Sequence, residues 1–307
     1  MSNMNRRLMV GVVGLGSMGK RYISYLSNYQ QASVAIYDMD SHVMSEVINK
    51  RQGGVSNVSI DCSSLNELLD LSLHVLIVAT PASAHLSVLR EARDRHPNCS
   101  VLVEKPLSDV AISNDELRWG LFHSTQGLIS VGYNWRFHSF ARHLHKARHF
   151  IRDLTLYVSS DMRQWPGKDY CDPLREFSHE VDLVRYLTCG PRFDAIQMTP
   201  TGRFIIDGTH HQGRWRVRVD PYRDPSRRWV RAKMIDGSII KYVWERTPEV
   251  IERMYRLQLR ELLDATLNNE TSEALTCNLA DALSTSLLVD GIAERLEENE
   301  MESGVVM

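Results

Sequence analysis

The sequence predicts an α/β protein, with a doubly wound parallel sheet in its first half and a second domain whose strands are joined by turns. Three observations predict it. Short, almost continuously apolar runs alternate with helix-period segments up to about residue 132, the pattern of buried parallel strands. A glycine-rich turn lies between the first run and the first helix. After about residue 150, strand-like runs follow one another without regular helical crossovers. A chain of 307 residues accommodates two domains, and the division falls near residue 132, giving 1–132 and 133–307.

The elements can be justified in order. Leu8-Met9-Val10-Gly11-Val12-Val13 is a short apolar, β-branched run, and Lys20 to Leu26 is the body of the following helix. Between them stands Gly14-Leu15-Gly16-Ser17-Met18-Gly19. In such a unit Gly14 permits the tight turn, Gly16 leaves room for a pyrophosphate to approach the backbone, and Gly19 lets helix and strand pack closely. The helix start adds free N–H groups and a positive dipole end. The next strand, Ser33 to Tyr37, ends at Asp38, 22 residues beyond Gly16. That is close to the spacing of a carboxylate that hydrogen-bonds an adenosine ribose. An acid there repels a 2′-phosphate, so NAD is favoured over NADP. As a plain strand cap Asp38 would explain less, because strand, turn, helix and acid agree.

The alternation continues through a short helix at 65–70, a buried strand at His74–Ala79 and a helix over Ala84–Arg95 with Leu86, Leu89 and Ala92 on one side. Further buried strands follow at Ser100–Val103 and Leu128–Gly132. Ligands of doubly wound sheets sit outside the carboxyl ends of the strands. The glycine turn, Asp38, Thr80-Pro81 and Glu104-Lys105-Pro106 all fall there.

In the second half the strand candidates are Leu154–Val158, Trp215–Val219, Trp229–Ile235 and Ser238–Val243, with Asp236-Gly237 as a hairpin signal. Val217 and Val219, then Val230, Ala232 and Met234, alternate with Arg and Lys, so one face is apolar and the other basic. Helices are expected at about 139–151, 249–268 and 277–298. Another is expected to begin at Asp172-Pro173, an N-cap with proline at the first helical position, and to run to about Leu187. Arg223 to Arg228 reads as a solvated loop.

Composition excludes several classes. The chain is 43% hydrophobic and 24% charged, an ordinary balance for a folded globular protein. Lys plus Arg is 36 against 38 for Asp plus Glu, which gives no electrostatic case for a nucleic-acid partner. No apolar run approaches the roughly 20 residues of a membrane helix, and the polar start is unlike a signal peptide. Five scattered cysteines without a CxxC pair argue against disulfides and zinc, so a cytoplasmic protein is expected. No metal is expected either: His145 and His149 are spaced i,i+4, but no carboxylate or cysteine stands nearby in sequence. An open sheet with an alternating face commonly pairs with a copy of itself, so a homodimer or homotetramer is expected.

The glycine turn, Asp38, Ala79-Thr80-Pro81-Ala82-Ser83-Ala84-His85, Val103-Glu104-Lys105-Pro106-Leu107 and Val131-Gly132-Tyr133-Asn134-Trp135-Arg136-Phe137 occur in an order that resembles the Gfo/Idh/MocA oxidoreductases. Gln164 to Tyr170 and Phe177 to Leu183 extend the likeness, and look most like members associated with cell-surface sugar biosynthesis. The resemblance implies a Rossmann domain, then an α+β domain with an open, mostly antiparallel sheet carrying the substrate pocket. It implies a dinucleotide site of Gly14, Gly16, Ser17, Met18, Gly19, Asp38, Thr80, Pro81, His85, Glu104 and Asn134. Catalytic roles fall to Lys105 and His179, and substrate contacts to Arg136, Trp165, Tyr170, Arg175 and Asp182.

The implied reaction is oxidation of a secondary alcohol of a sugar, sugar acid or nucleotide sugar, or its reverse. A partly desolvated Lys105 ammonium at a strand end can relay a proton. His179 points away from the apolar helix face of Leu174, Phe177, Val181, Val184 and Thr188, so it faces solvent or a cleft. Arg175, Asp182 and Tyr186 share its side, and Asp182 is placed to orient its ring. Either Lys105 or His179 could be the base. Many family members carry a glycine-rich run before this histidine and an aspartate four residues ahead of it. Here Cys171 to Ser178 replaces the glycines and Arg175 holds the aspartate position. A cation there either favours an anionic substrate or marks weakened chemistry. The alternative functions are an NAD-binding sensor or scaffold of the same fold, and a biliverdin reductase-type reductase of imines or double bonds.

Overall fold

The computed structural model describes residues 7–51, 58–123, 127–161, 175, 177–199, 201–244 and 247–303. The chain forms two compact units. Residues up to Gly132 join Arg256–Leu283 in the first, and Tyr133–Tyr255 join the residues from Ser284 onward in the second.

The first unit contains a six-stranded sheet. Its strands are β1 (Leu8–Val13), β2 (Ala32–Tyr37), β3 (Val58–Asp61), β4 (Val75–Val78), β5 (Ser100–Val103) and β6 (Ile129–Val131). They lie in the order β3-β2-β1-β4-β5-β6 and every neighbouring pair is parallel. All residues of β4, β5 and β6 are buried, as continuous apolar runs require when both faces of a sheet are covered. The strand order reverses between β1 and β4, which is where doubly wound sheets open a crevice for a ligand. The helices are α1 (Ser17–Ser27), α2 (Ser41–Arg51), α3 (Leu65–Leu69), α4 (His85–Arg95) and α5 (Asn114–His123). Helix α1 buries Tyr22, Ile23, Tyr25 and Leu26, the face its spacing predicts.

Residues 256–283 lie beyond the division expected near 132, but group with the first unit. Hydrogen bonding accounts for this. Gln258 Nε2 donates to the Val131 carbonyl at 2.6 Å and to Ser130 Oγ at 3.2 Å, and Thr266 Oγ1 donates to Ser100 Oγ at 2.7 Å. Val131 N–H donates to the Cys277 carbonyl at 3.2 Å, beside a bridge between Ser130 and Asn278. The segment satisfies backbone groups along the edge at β6 that would otherwise lie open.

The second unit holds α6 (Ser139–Lys146), β7 (Ile151–Asp161), α7 (Ser178–Leu187), β8 (Arg192–Met198), β9 (Phe204–His210), β10 (Gly213–Asp220), β11 (Tyr222–Met234) and β12 (Ile239–Trp244). Helices α8 (Pro248–Asn268) and α9 (Leu279–Ser303) contribute to both units. The sheet order is β12-β11-β7-β10-β9-β8, and only the β7–β10 pair is parallel. It is the mostly antiparallel sheet implied by the resemblance. The Asp236-Gly237 hairpin is present, with Gly237 at φ +87°, a conformation that favours glycine.

Three sequence expectations change here. The helix expected over Ser139–Ile151 ends at Lys146; a single 3₁₀ turn, Arg148–Phe150, leads into β7. Arg223 to Arg228 is not a loop but the start of β11. The regular helix expected to begin after Asp172-Pro173 is described from Ser178, with Phe177 as its N-cap; Asp172 and Pro173 lie outside the described residues. No helix among the described residues is long and apolar enough to cross a membrane.

Candidate functional site

In the first unit the carboxyl ends of β1, β2, β4 and β5 bring together most of the residues expected at a dinucleotide. Gly14 sits at φ +83°, and a Cβ there would stand 2.6 Å from the backbone of Ala79 and Thr80 at the end of β4. A Cβ on Gly19 would run into the Gly14 carbonyl oxygen, so helix and turn touch backbone to backbone. Gly16 differs: nothing lies within 4 Å of its would-be Cβ. Open space over Gly16 and a helix start with no side-chain cap are what a pyrophosphate needs. Ser17 and Met18 are the first residues of α1. Asp38 turns back to this loop; its Oδ2 accepts the Leu15 N–H at 2.5 Å and its Oδ1 accepts the Asp40 N–H at 2.9 Å. Thr80 Oγ1 is buried without a hydrogen-bond partner, which suits a polar ligand atom at the β1/β4 crevice. The residues therefore fit a dinucleotide.

His85, expected at the cofactor, is instead enclosed at 1% exposure. Its Nδ1 lies 2.8 Å from the Pro106 carbonyl and its Nε2 lies 2.9 Å from the Thr80 carbonyl. It ties the loop after β4 to the loop after β5. Burial holds its pKa below the ordinary histidine value, against the pull of these two carbonyls.

Glu104 and Lys105 leave β5 together. Glu104 is buried at 7% exposure and accepts a hydrogen bond from the Tyr22 hydroxyl of α1 at 2.5 Å. Its other oxygen accepts the Lys105 N–H at 3.3 Å. Burial pushes its carboxyl above the usual range, while the Tyr22 hydroxyl and the Lys105 charge pull the other way. Lys105 is half-buried and precedes a cis peptide to Pro106. Tyr22, which the sequence placed only within the helix after the glycine turn, is 0% exposed.

In the second unit His179 lies on α7, half-buried, with Tyr133 and Trp135 perpendicular to its ring at centroid distances of 5.8 and 6.0 Å. Asn134, between those aromatics, is 2% exposed. The other polar residues expected around His179 have different partners. Asp182 is completely buried; its Oδ2 accepts from Arg136 Nε at 2.8 Å, and its Oδ1 from Arg136 Nη2 at 2.7 Å and Thr285 Oγ1 at 3.0 Å. Arg136 is 2% exposed and lies over the Tyr186 ring at 5.0 Å. Arg136 and Asp182, expected to contact substrate, are joined to each other in a two-pronged ion pair, and Asp182 does not orient His179. Arg175 Nη1 lies 2.9 Å from Asp290 Oδ1, so its charge too is compensated. Trp165 and Tyr170 lie outside the described residues.

Arg228 was missed. It reaches α7 from β11, 6% exposed, with Nε donating to Glu180 Oε1 at 3.3 Å and its guanidinium over the Trp135 ring at 5.1 Å. The signal was present. Arg228 is two residues before Val230, Ala232 and Met234 in the same alternation, which places a charge on the apolar face.

A parallel sheet ordered in this way, with a glycine turn at its switch point and a carboxylate at the end of the neighbouring strand, defines a nucleotide-binding protein of the Rossmann class. Residues 8–132 match the Gfo/Idh/MocA family, described as an oxidoreductase family with an NAD-binding Rossmann fold. The match covers the Rossmann domain of the first unit and marks that domain as NAD-binding and of the oxidoreductase type.

Solved structures extend the fold over almost the whole chain. Scyllo-inositol dehydrogenase from Lactobacillus casei is 14% identical, with a TM-score of 0.79 and coverage of 97% of this chain and 98% of that one. Myo-inositol dehydrogenase from Lactobacillus casei, in complex with NAD(H) and myo-inositol, is 14% identical with a TM-score of 0.76 and 95% coverage of both chains. UDP-N-acetylglucosamine 3-dehydrogenase from Acidithiobacillus ferrooxidans is 15% identical, with a TM-score of 0.72 and coverage of 94% and 97%.

Proposed function

We propose that this protein transfers a hydride between NAD and a secondary alcohol or ketone of a sugar-like substrate. The observation that carries the reading is the end of β5. Lys105 emerges two strands from the glycine turn, with β4 between them, and its backbone is held by a buried Glu104 that is itself anchored by Tyr22 on the dinucleotide helix. An ammonium at that point can donate a hydrogen bond to a substrate oxygen and hold the proton that leaves a hydroxyl. Gly16 and the start of α1 receive the pyrophosphate, Asp38 the adenosine ribose, and Thr80 and Pro81 border the crevice. The nicotinamide, when bound, supplies the hydride chemistry. His179, set among Tyr133 and Trp135, binds or deprotonates a hydroxyl, so the base is Lys105 or His179. The inositol and UDP-sugar dehydrogenases of the same fold support a polyol, sugar acid or nucleotide sugar as substrate, and a homo-oligomer remains the expected assembly.

The test is a panel of polyols, sugar acids and nucleotide sugars with NAD, and of the matching ketones with NADH, followed at the nicotinamide absorbance. Turnover with at least one, lost in Lys105→Ala and His179→Ala while NADH binding persists, is the expected result. NADH binding without turnover across the panel refutes the dehydrogenase in favour of a sensor. Unchanged turnover in both variants refutes the assigned roles.

A further inference from the structure

We infer that Arg228 is the anchor of an oxyanion subsite in the second unit, and that the substrate carries a carboxylate or phosphate there. The inference rests on the oxidoreductase reading above and narrows its substrate class to anionic sugars.

Three arginines with little exposure lie around α7. Arg136 meets Asp182 through two short hydrogen bonds and also has the Tyr186 ring. Arg175 has Asp290 at 2.9 Å. Arg228, at 6% exposure, is almost as buried as Arg136 at 2%, yet its one hydrogen bond among the described residues is the 3.3 Å contact from Nε to Glu180. Its Nη1 is buried with no hydrogen-bond partner. Charged donors without acceptors are costly in a folded interior, and a native protein that keeps one does so for a reason. Glu180 supplies a counter-charge at the long end of hydrogen-bond range, but takes Nε and leaves Nη1 without an acceptor. A guanidinium N–H is a donor suited to a carboxylate or phosphate.

The surroundings point to a ligand rather than to misfit packing. Trp135 carries Arg228 over its face at 5.1 Å and stands perpendicular to the His179 ring at 6.0 Å. The unfilled cation and the histidine expected to handle a sugar hydroxyl therefore share one aromatic neighbour. An apolar ring beside a guanidinium also lowers the local dielectric, which strengthens any oxyanion contact made there. The anionic preference that the sequence attached to Arg175 thus moves to Arg228, because Asp290 already compensates Arg175.

The experiment is calorimetric titration of the NADH-loaded protein with D-glucuronate, D-glucose 6-phosphate and D-glucose. The expected result is that one of the two anionic sugars binds at least tenfold more tightly than D-glucose, and which one distinguishes carboxylate from phosphate. Arg228→Met alone takes from the buried Glu180 the cation that it faces and can unfold the unit, so the decisive variant is Arg228→Met/Glu180→Gln, which removes both charges. It should keep its circular dichroism and NADH affinity and lose the preference. Equal binding of the three sugars, no binding of either anion up to its solubility, or a preference retained in the double variant overturns the inference. The oxidoreductase reading fails separately, if NADH does not bind or no substrate turns over.

Discussion

Replacing Asp182 by alanine separates a structural carboxylate from a substrate-binding one. The side chain is completely buried and accepts three hydrogen bonds, two from Arg136 and one from Thr285. Its removal takes from the Arg136 guanidinium, at 2% exposure, the carboxylate that it grips with two hydrogen bonds. Breaking a buried ion pair from one side costs about 3–5 kcal/mol. The unfolding midpoint should therefore fall on the order of 10 °C. The companion variant Arg136→Met/Asp182→Leu removes both charges and keeps the volume filled. It should recover most of the loss, since a buried pair exchanged for apolar groups is often close to neutral. A residue of about 1 kcal/mol should remain for the Thr285 hydroxyl, which loses its acceptor but still accepts from Arg185 Nη1 at 3.0 Å. The assay is urea unfolding followed by tryptophan fluorescence and circular dichroism, with the double-mutant cycle giving the coupling energy. If Asp182→Ala unfolds at the native urea concentration while substrate affinity collapses, the carboxylate serves the ligand and the reasoning is refuted.

Two further results are expected. Gly16→Ala meets no atom in the free protein and should leave the unfolding midpoint unchanged while weakening NADH binding at least tenfold, whereas Gly19→Ala strikes the Gly14 carbonyl and should lower both; fluorescence titration with NADH and thermal unfolding check the pair. Burial depresses the pKa of His85, and that of His138 to about 4, with the Arg253 charge adding to the effect on His138. A histidine depressed in the folded state binds its proton more readily unfolded, so its contribution is intact above the ordinary value of about 6.5 and is lost as pH falls from there towards the folded value. The unfolding midpoint should drop between pH 7 and pH 5, and His138→Gln should flatten that drop; an unchanged slope in the variant would count against His138 as a source.

Much of the nucleotide half is readable from residues alone. Gly14, Gly16 and Gly19 stand in one short turn, and Asp38 is the first residue after the next strand, so neighbours in sequence carry the pattern. The continuous apolar runs of β4 and β5 report burial directly. His85 shows the limit. Its place in a resemblance pointed to the cofactor, but both its ring nitrogens face the carbonyls of Thr80 and Pro106. The arrangement around His179 was less readable. Helical periodicity set Asp182 and Tyr186 apart from the apolar face of α7, but could not say that Asp182 is completely buried; Arg175, grouped with them, precedes the helix. β11 was shortened in the reading because Asp224-Pro225-Ser226 resembles a loop, and with that Arg228 left view.

The sequence by itself determined the two-part architecture, the parallel nucleotide-binding sheet and the residues of its glycine turn, because each depends on local periodicity or on a backbone conformation that only particular residues allow. Tertiary structure alone decided which charges are fully satisfied within the fold and which are not. Asp182 meets Arg136 across 46 positions and Thr285 across 103, and Glu180 meets Arg228 across 48. A charge at a helix position looks the same in sequence whether or not a distant strand brings it a partner. Only the assembled second unit separates the satisfied pair of Arg136 and Asp182 from the incompletely satisfied Arg228.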